Sequence, residues 1–216
     1  MKSIDTVLFD FDGTIMDTNN VILMSWQHTF RTLENREEDE SILTATFGEP
    51  LEKTMMRFFP DIDAEKSIEI YRSFQRENFS QLITVFPGMK ELVMKLKACG
   101  YRTGLVTSRL HSTAIEGLEK FDLKRYYDVI VTPEDTEKHK PDPAPVNIAL
   151  EKLGSKAENA VMLGDTLFDI LCASNAGVKS VLVAWTLALA GKTKEELGDN
   201  APDYIIDTPE ELFEII

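Results

Sequence analysis

Residues 101–107 read Tyr101-Arg102-Thr103-Gly104-Leu105-Val106-Thr107 (YRTGLVT), a short β-rich run that ends on a hydroxyl, and the text beyond it alternates. A helical stretch follows, then DVIVT (128–132), a helix, AVMLGD (160–165), a helix, and SVLVA (180–184). Ahead of it, residues 88 to 98 read as a helix that stops at Gly100. Such alternation implies right-handed β-α-β crossovers and a parallel sheet covered by helices on both faces. TVLFDFD (6–12) is one more apolar, β-rich segment and pairs into the same sheet. Between the two, from Asp17 to about Thr84, apolar residues recur at helical spacing: Val21, Met24, Trp26, Phe30 and Leu33, then Ile68, Tyr71, Phe74 and Phe79. Gly48-Glu49-Pro50 interrupts this block, with Pro50 suited to the first position of a helix and Asp61 to Asp63 offering an N-cap. The expected fold class is α/β, a Rossmann-like parallel-sheet core formed by residues 1–16 and 85–216. An α-helical domain, residues 17–84, is inserted into it, with its ends close together in space.

Bulk properties narrow the function classes. At 216 residues, 43% hydrophobic and 28% charged, the chain buries a sizeable core and is neither disordered nor membrane-embedded in composition. A net charge of −14 disfavours nucleic acid, whose affinity comes from Lys and Arg displacing counterions. An acidic protein binds a small phosphate only by concentrating positive charge locally, through a metal ion or fixed cations. Cys99 and Cys172 form no C-x-x-C and read as two small core residues. With no signal-type or membrane-length apolar run, the expected location is cytoplasmic, with no membrane partner.

Asp10 and Asp12 stand at i and i+2 of a strand, a spacing of about 6.5 to 7 Å on one side of the chain. Ligands of open α/β sheets bind outside the carboxyl ends of the strands, and Gly13 is where this strand leaves the sheet. The other strand ends carry Thr107, Ser108 and Arg109, then Lys140 in HKPDP, then Asp165 with Asp169 one helical turn later. Singly these are an Asx turn, a helix cap, a surface charge and a turn. In this order, each at a strand end or in the loop beyond it, they form one constellation.

The set Asp10-x-Asp12-Gly13-Thr14, Thr107, Lys140-Pro141-Asp142-Pro143 and Gly164-Asp165-x-x-x-Asp169 resembles the haloacid dehalogenase-like (HAD) superfamily of phosphohydrolases. The inserted helices resemble its C1-type cap, and VAWT, KPDP and GLVTSR resemble the phosphoglycolate phosphatase and PpaX-like pyrophosphatase branch. The resemblance implies that Asp10, ionised near neutrality at an ordinary carboxylate pKa of about 4, attacks phosphorus. Asp12 then moves the protons, and Thr107 and Lys140 hold the phosphoryl oxygens. It further implies Mg²⁺ on Asp10, the Asp12 carbonyl and Asp165, with Asp169 helping directly or through water, a ligand set that suits a hard, oxygen-seeking cation. Gly13, Ser108, Arg109 and Glu49 complete the substrate set. Arg109 reads equally as a solvent-facing charge, and Gly48-Glu49-Pro50 as a helix-capping turn. A calcium loop fails because the acids are scattered, and zinc lacks its usual ligands: His28, His111 and His139 read as structural or surface positions. The expected function is Mg²⁺-dependent hydrolysis of a small phosphorylated metabolite, 2-phosphoglycolate or inorganic pyrophosphate, through an aspartyl phosphate on Asp10. The alternatives are a β-phosphoglucomutase-like phosphomutase and a non-enzymatic binding protein on the same scaffold; a dehalogenase fits less well. Monomer and dimer are both open.

Overall fold

The strand Thr6–Phe9 (β1) is buried at every position, as expected for a run covered by helices on both faces. The computed structural model describes residues 4–188 and 193–216 and divides the chain into two compact units, Met1–Asp17 with Val85–Ile216, and Thr18–Thr84. In the first unit β1 is joined by Arg102–Val106 (β2), Val129–Val131 (β3), Ala160–Gly164 (β4), Lys179–Val183 (β5) and Tyr204–Ile206 (β6). The six strands lie in the order β3-β2-β1-β4-β5-β6, and every neighbouring pair is parallel. This is the doubly wound order, in which the chain reverses direction across the sheet between β1 and β4, and the ligand crevice opens at that switch point.

Register fixes what stands there. Phe9 lies opposite Leu105 on one side and Leu163 on the other, so β1, β2 and β4 end level with one another. Leu8, Val106, Val131 and Met162 pack with Val146, Ala149 and Leu150 of the helix Ala144–Leu153 and with Cys172 and Ala173 of the helix Leu167–Asn175. β6 was not among the expected strands, because three residues between turns carry too little periodicity to read. Cys172 is buried, but Cys99 is exposed, which corrects the expectation for it: it caps the end of the helix Met89–Ala98, past the last core-facing turn. Phe86 N donates to Ile15 O at 3.0 Å, so the points where the chain leaves this unit and re-enters it are adjacent. No helix among the described residues is long and apolar enough to cross a membrane.

The second unit holds four helices among the described residues, Asn19–Glu34, Glu40–Thr44, Leu51–Phe58 and Ala64–Leu82. Trp26 and Phe30, one turn apart, pack with Leu43, Met55, Phe59 and Tyr71, whereas Met24 is 44% exposed and lies off this face. Asp63 caps the last helix by accepting from Lys66 N at 3.0 Å. Pro50 stands one residue before the helix that it was expected to begin.

Candidate active site

Beyond Phe9 the chain does not continue as a strand. Asp10 N still donates to Leu163 O at 2.9 Å, and then Ile15 N and Met16 N both donate to Phe11 O, closing a tight turn over Asp12 and Gly13. Gly13 has φ +73°, and a Cβ there would overlap the Asp165 carboxylate, so both its backbone and its missing side chain are required.

The turn sends the two acids to different cations. Asp10 Oδ1 accepts from Lys140 Nζ at 2.7 Å, and both residues are buried. Asp12 accepts from Arg109, with Nε at 3.0 Å from each oxygen and Nη2 at 2.6 Å from Oδ1. The expectation of two carboxylates facing one point therefore becomes two adjacent charge pairs.

Lys140 also donates to Asp169 Oδ1 at 2.6 Å. The other oxygen of Asp169 closes the capping box of the helix Leu167–Asn175, accepting from Thr166 N at 3.1 Å and Thr166 Oγ1 at 2.7 Å. Cap and ion pair together determine the aspartate at this position. The Lys140 loop is pinned to the same helix, where Cys172 Sγ donates to Asp142 O and Asn175 Nδ2 to Pro141 O, both at 3.0 Å.

Ligand oxygens of Asp10, Asp165 and Asp169 all lie within 4.8 Å of one another, and all three residues are buried. Three clustered carboxylates thus share a single ammonium, which bonds two of them, Asp10 and Asp169. Burial, opposed by Lys140 and aided by Asp169 and Asp12, pushes the Asp10 carboxyl up to about 7, which corrects the expectation of an ordinary carboxylate. Burial and Asp169 likewise hold Asp165 well above the usual range. For Lys140 burial works downward, but Asp10 and Asp169 outweigh it and leave the ammonium raised. A buried all-oxygen set short of positive charge fits a hard divalent cation, with Asp10, Asp165 and Asp169 as the residues able to hold it.

Of the remaining site residues, Thr107 is buried and its Oγ1 accepts from Arg109 N at 3.0 Å, while Ser108 beside it is exposed. Glu49 belongs to the helical unit, where its carboxylate accepts from Thr54 Oγ1 at 3.0 Å and pairs with Arg57 at 2.8 Å. That is the contact set of a helix-capping turn.

One neighbour escaped the sequence reading. Thr186, three residues past the end of β5 in VAWT, is buried and donates to Asp165 Oδ2 at 3.1 Å. Its signal in the sequence is a hydroxyl residue in the loop just beyond a buried strand. A hydroxyl that orients a metal-ligating carboxylate typically matters tenfold or more in metal affinity. Thr186→Val is therefore expected to raise the Mg²⁺ concentration that half-saturates thermal stabilisation about tenfold, with Thr186→Ser restoring it. An unchanged Mg²⁺ titration in Thr186→Val would exclude this role.

Comparison with known proteins places these features in one family. The haloacid dehalogenase-like hydrolase family profile matches residues 7–183. A PpaX relative from Caldanaerobacter subterraneus is 40% identical over 99% of this chain and 94% of its own length. The pyrophosphatase PpaX of Bacillus velezensis is 35% identical over 99% of this chain and 97% of its own. Among solved structures, a haloacid dehalogenase-like family hydrolase from Streptococcus pneumoniae superimposes with a TM-score of 0.87 at 25% identity, covering 100% of this chain and 99% of that one. Fold, strand-end acids and kinship agree: the chain belongs to the haloacid dehalogenase-like hydrolases, and it is an enzyme of their phosphatase and pyrophosphatase kind.

Proposed function

We propose that the chain is a cytoplasmic, Mg²⁺-dependent phosphohydrolase that cleaves a small phosphorylated metabolite through an aspartyl phosphate on Asp10. Inorganic pyrophosphate leads, since the relatives at 35 to 40% identity carry the pyrophosphatase name, and 2-phosphoglycolate comes next. The observation that carries the reading is the buried Asp10 at the sheet's switch point, bonded to Lys140 and flanked by Asp165 and Asp169.

An anionic nucleophile and an anionic phosphate repel each other, so positive charge has to be fixed between them. Mg²⁺, held by Asp10, Asp165 and the Asp12 carbonyl with Asp169 behind them, supplies that charge when bound. Asp10 attacks phosphorus as the bond to the leaving oxygen breaks, and Asp12 gives that oxygen a proton. Asp12 then takes a proton from the water that attacks phosphorus and returns Asp10 to a free carboxylate. Thr107, the adjoining Ser108 backbone and Lys140 hold the phosphoryl oxygens as charge redistributes. The helical unit, residues 17–84, corresponds to the C1-type cap of the family.

Phosphate release from a panel of pyrophosphate, 2-phosphoglycolate and glucose 1-phosphate, with and without Mg²⁺, tests this reading. The expected result is Mg²⁺-dependent release from one of the first two. Conversion of glucose 1-phosphate without phosphate release would instead identify a phosphomutase, and silence across the panel a binding protein.

A further inference from the structure

Any leaving group that Asp12 serves also meets Arg109. Both oxygens of the Asp12 carboxylate are bonded by the Arg109 guanidinium at 2.6 to 3.0 Å. The Arg109 side chain is 6% exposed and that of Asp12 is 28% exposed, so the cation is fixed while the acid keeps an open flank. Arg109 is further located by its backbone bond to Thr107 Oγ1 at 3.0 Å and by the Phe11 ring, 5.6 Å from its guanidinium carbon. A proton passes only to an oxygen within about 2.6 to 3.2 Å of Asp12. That oxygen then stands within a few ångströms of a charge that arginine never gives up.

From this geometry we infer that Arg109 reads the charge of the leaving group. The site favours substrates whose departing fragment carries anionic oxygens of its own beside the scissile bond, over phosphate esters of neutral alcohols. The inference rests on the proposed roles of Asp10 and Asp12 and narrows their substrate class. Two sources share the required chemistry, the second phosphate of inorganic pyrophosphate and the carboxylate of 2-phosphoglycolate. With pyrophosphate, an Asp10 oxygen bonds to one phosphorus and the bridging P–O bond breaks. Its electron pair and the Asp12 proton pass to the departing phosphate, which leaves against the guanidinium. A neutral alcohol leaves the same way but gains nothing from Arg109. The guanidinium fork holds Asp12 and sets its fixed charge beside the departing fragment, whereas lysine keeps the charge without the fork.

The experiment compares kcat/KM for pyrophosphate, 2-phosphoglycolate and glycerol 1-phosphate in the Mg²⁺-loaded wild type, Arg109→Gln and Arg109→Lys. Wild type is expected to prefer an anionic leaving group, and the faster of the two identifies the source of the charge. Arg109→Gln should lose about 10- to 100-fold on that substrate and at least tenfold less on glycerol 1-phosphate, while Arg109→Lys recovers part of the loss. Thermal midpoints of both variants check that they fold. Should Arg109→Gln prove unfolded, the comparison between Arg109→Lys and wild type decides, because a weakened preference in the lysine variant supports the inference and an unaltered one overturns it. Equal losses on all three substrates, or wild-type turnover of glycerol 1-phosphate as fast as that of the anionic pair, overturn the inference and leave the phosphohydrolase reading standing. No phosphate from any of the three in the wild type overturns both.

Discussion

Asp10→Asn abolishes phosphate release, by about 10⁴-fold or more, and leaves the metal-free protein at least as stable as its parent. The two halves of this expectation come from one set of contacts. The amide matches the carboxylate in size, so the Lys140 bond and the packing at the end of β1 keep their shape, but it cannot attack phosphorus. Burial has already raised Asp10 to about 7, meaning that the fold tolerates its charge poorly without a counter-ion. Removing one of three clustered acids relieves that repulsion. Single-turnover phosphate release and thermal unfolding in the absence of metal check the two halves separately. Residual turnover above about one part in 10³ of the parent would remove Asp10 as nucleophile, and a lowered midpoint would show that its charge supports the fold.

Much of the fold was legible because its signals are local. Buried strands such as Thr6–Phe9 and Ala160–Gly164 write themselves as apolar runs, and Gly164 marks the end of the second, whereas the first stops at Phe9, short of the expected run to Asp12. Asp10, Thr107 and Asp165 could be placed at strand ends, and Lys140 in the loop beyond one, from the alternating pattern together with the order of the motifs. What stayed hidden depends on contacts distant in the chain. Arg109 reads equally as a solvent charge or a substrate contact until the fold brings Asp12, 97 positions away, against it. The Asp10 carboxyl is raised by its burial, opposed by Lys140 and aided by Asp169, none of which a local pattern encodes. Asp169 was legible for a reason that the sequence does not separate, since the capping box and the Lys140 pair demand the same residue.

Lys140→Met tests whether one ammonium holds the acid cluster together. Lys140 bonds Asp10 at 2.7 Å and Asp169 at 2.6 Å, and methionine replaces its length but not its charge. Breaking a buried pair by removing one partner costs about 3 to 5 kcal/mol, or a drop on the order of 10 °C in thermal midpoint for a chain of this size. The loss has a sign in pH. Asp10 is raised from 3.8 to about 7, so its contribution to stability is complete below about pH 4 and is lost as pH rises through 7. Without Lys140 the folded value moves higher still, and the decline runs on past neutrality. The gap between variant and parent is therefore expected to be smaller at pH 5, where Asp10 holds its proton in both folded proteins and only the Asp169 partner is left without its cation, and larger at pH 8. Mg²⁺ at pH 8 should recover part of it, because a divalent cation restores positive charge among the same oxygens. Turnover should fall by about 10²- to 10³-fold, as when a preorganised donor to the phosphoryl oxygens is lost. Melting curves at pH 5 and pH 8, with and without Mg²⁺, separate this account from a packing defect. Loss of packing destabilises equally at both pH values and does not respond to the cation, so an equal drop at pH 5 and pH 8 with no recovery by Mg²⁺ would show that Lys140 does not act as counter-charge to Asp10.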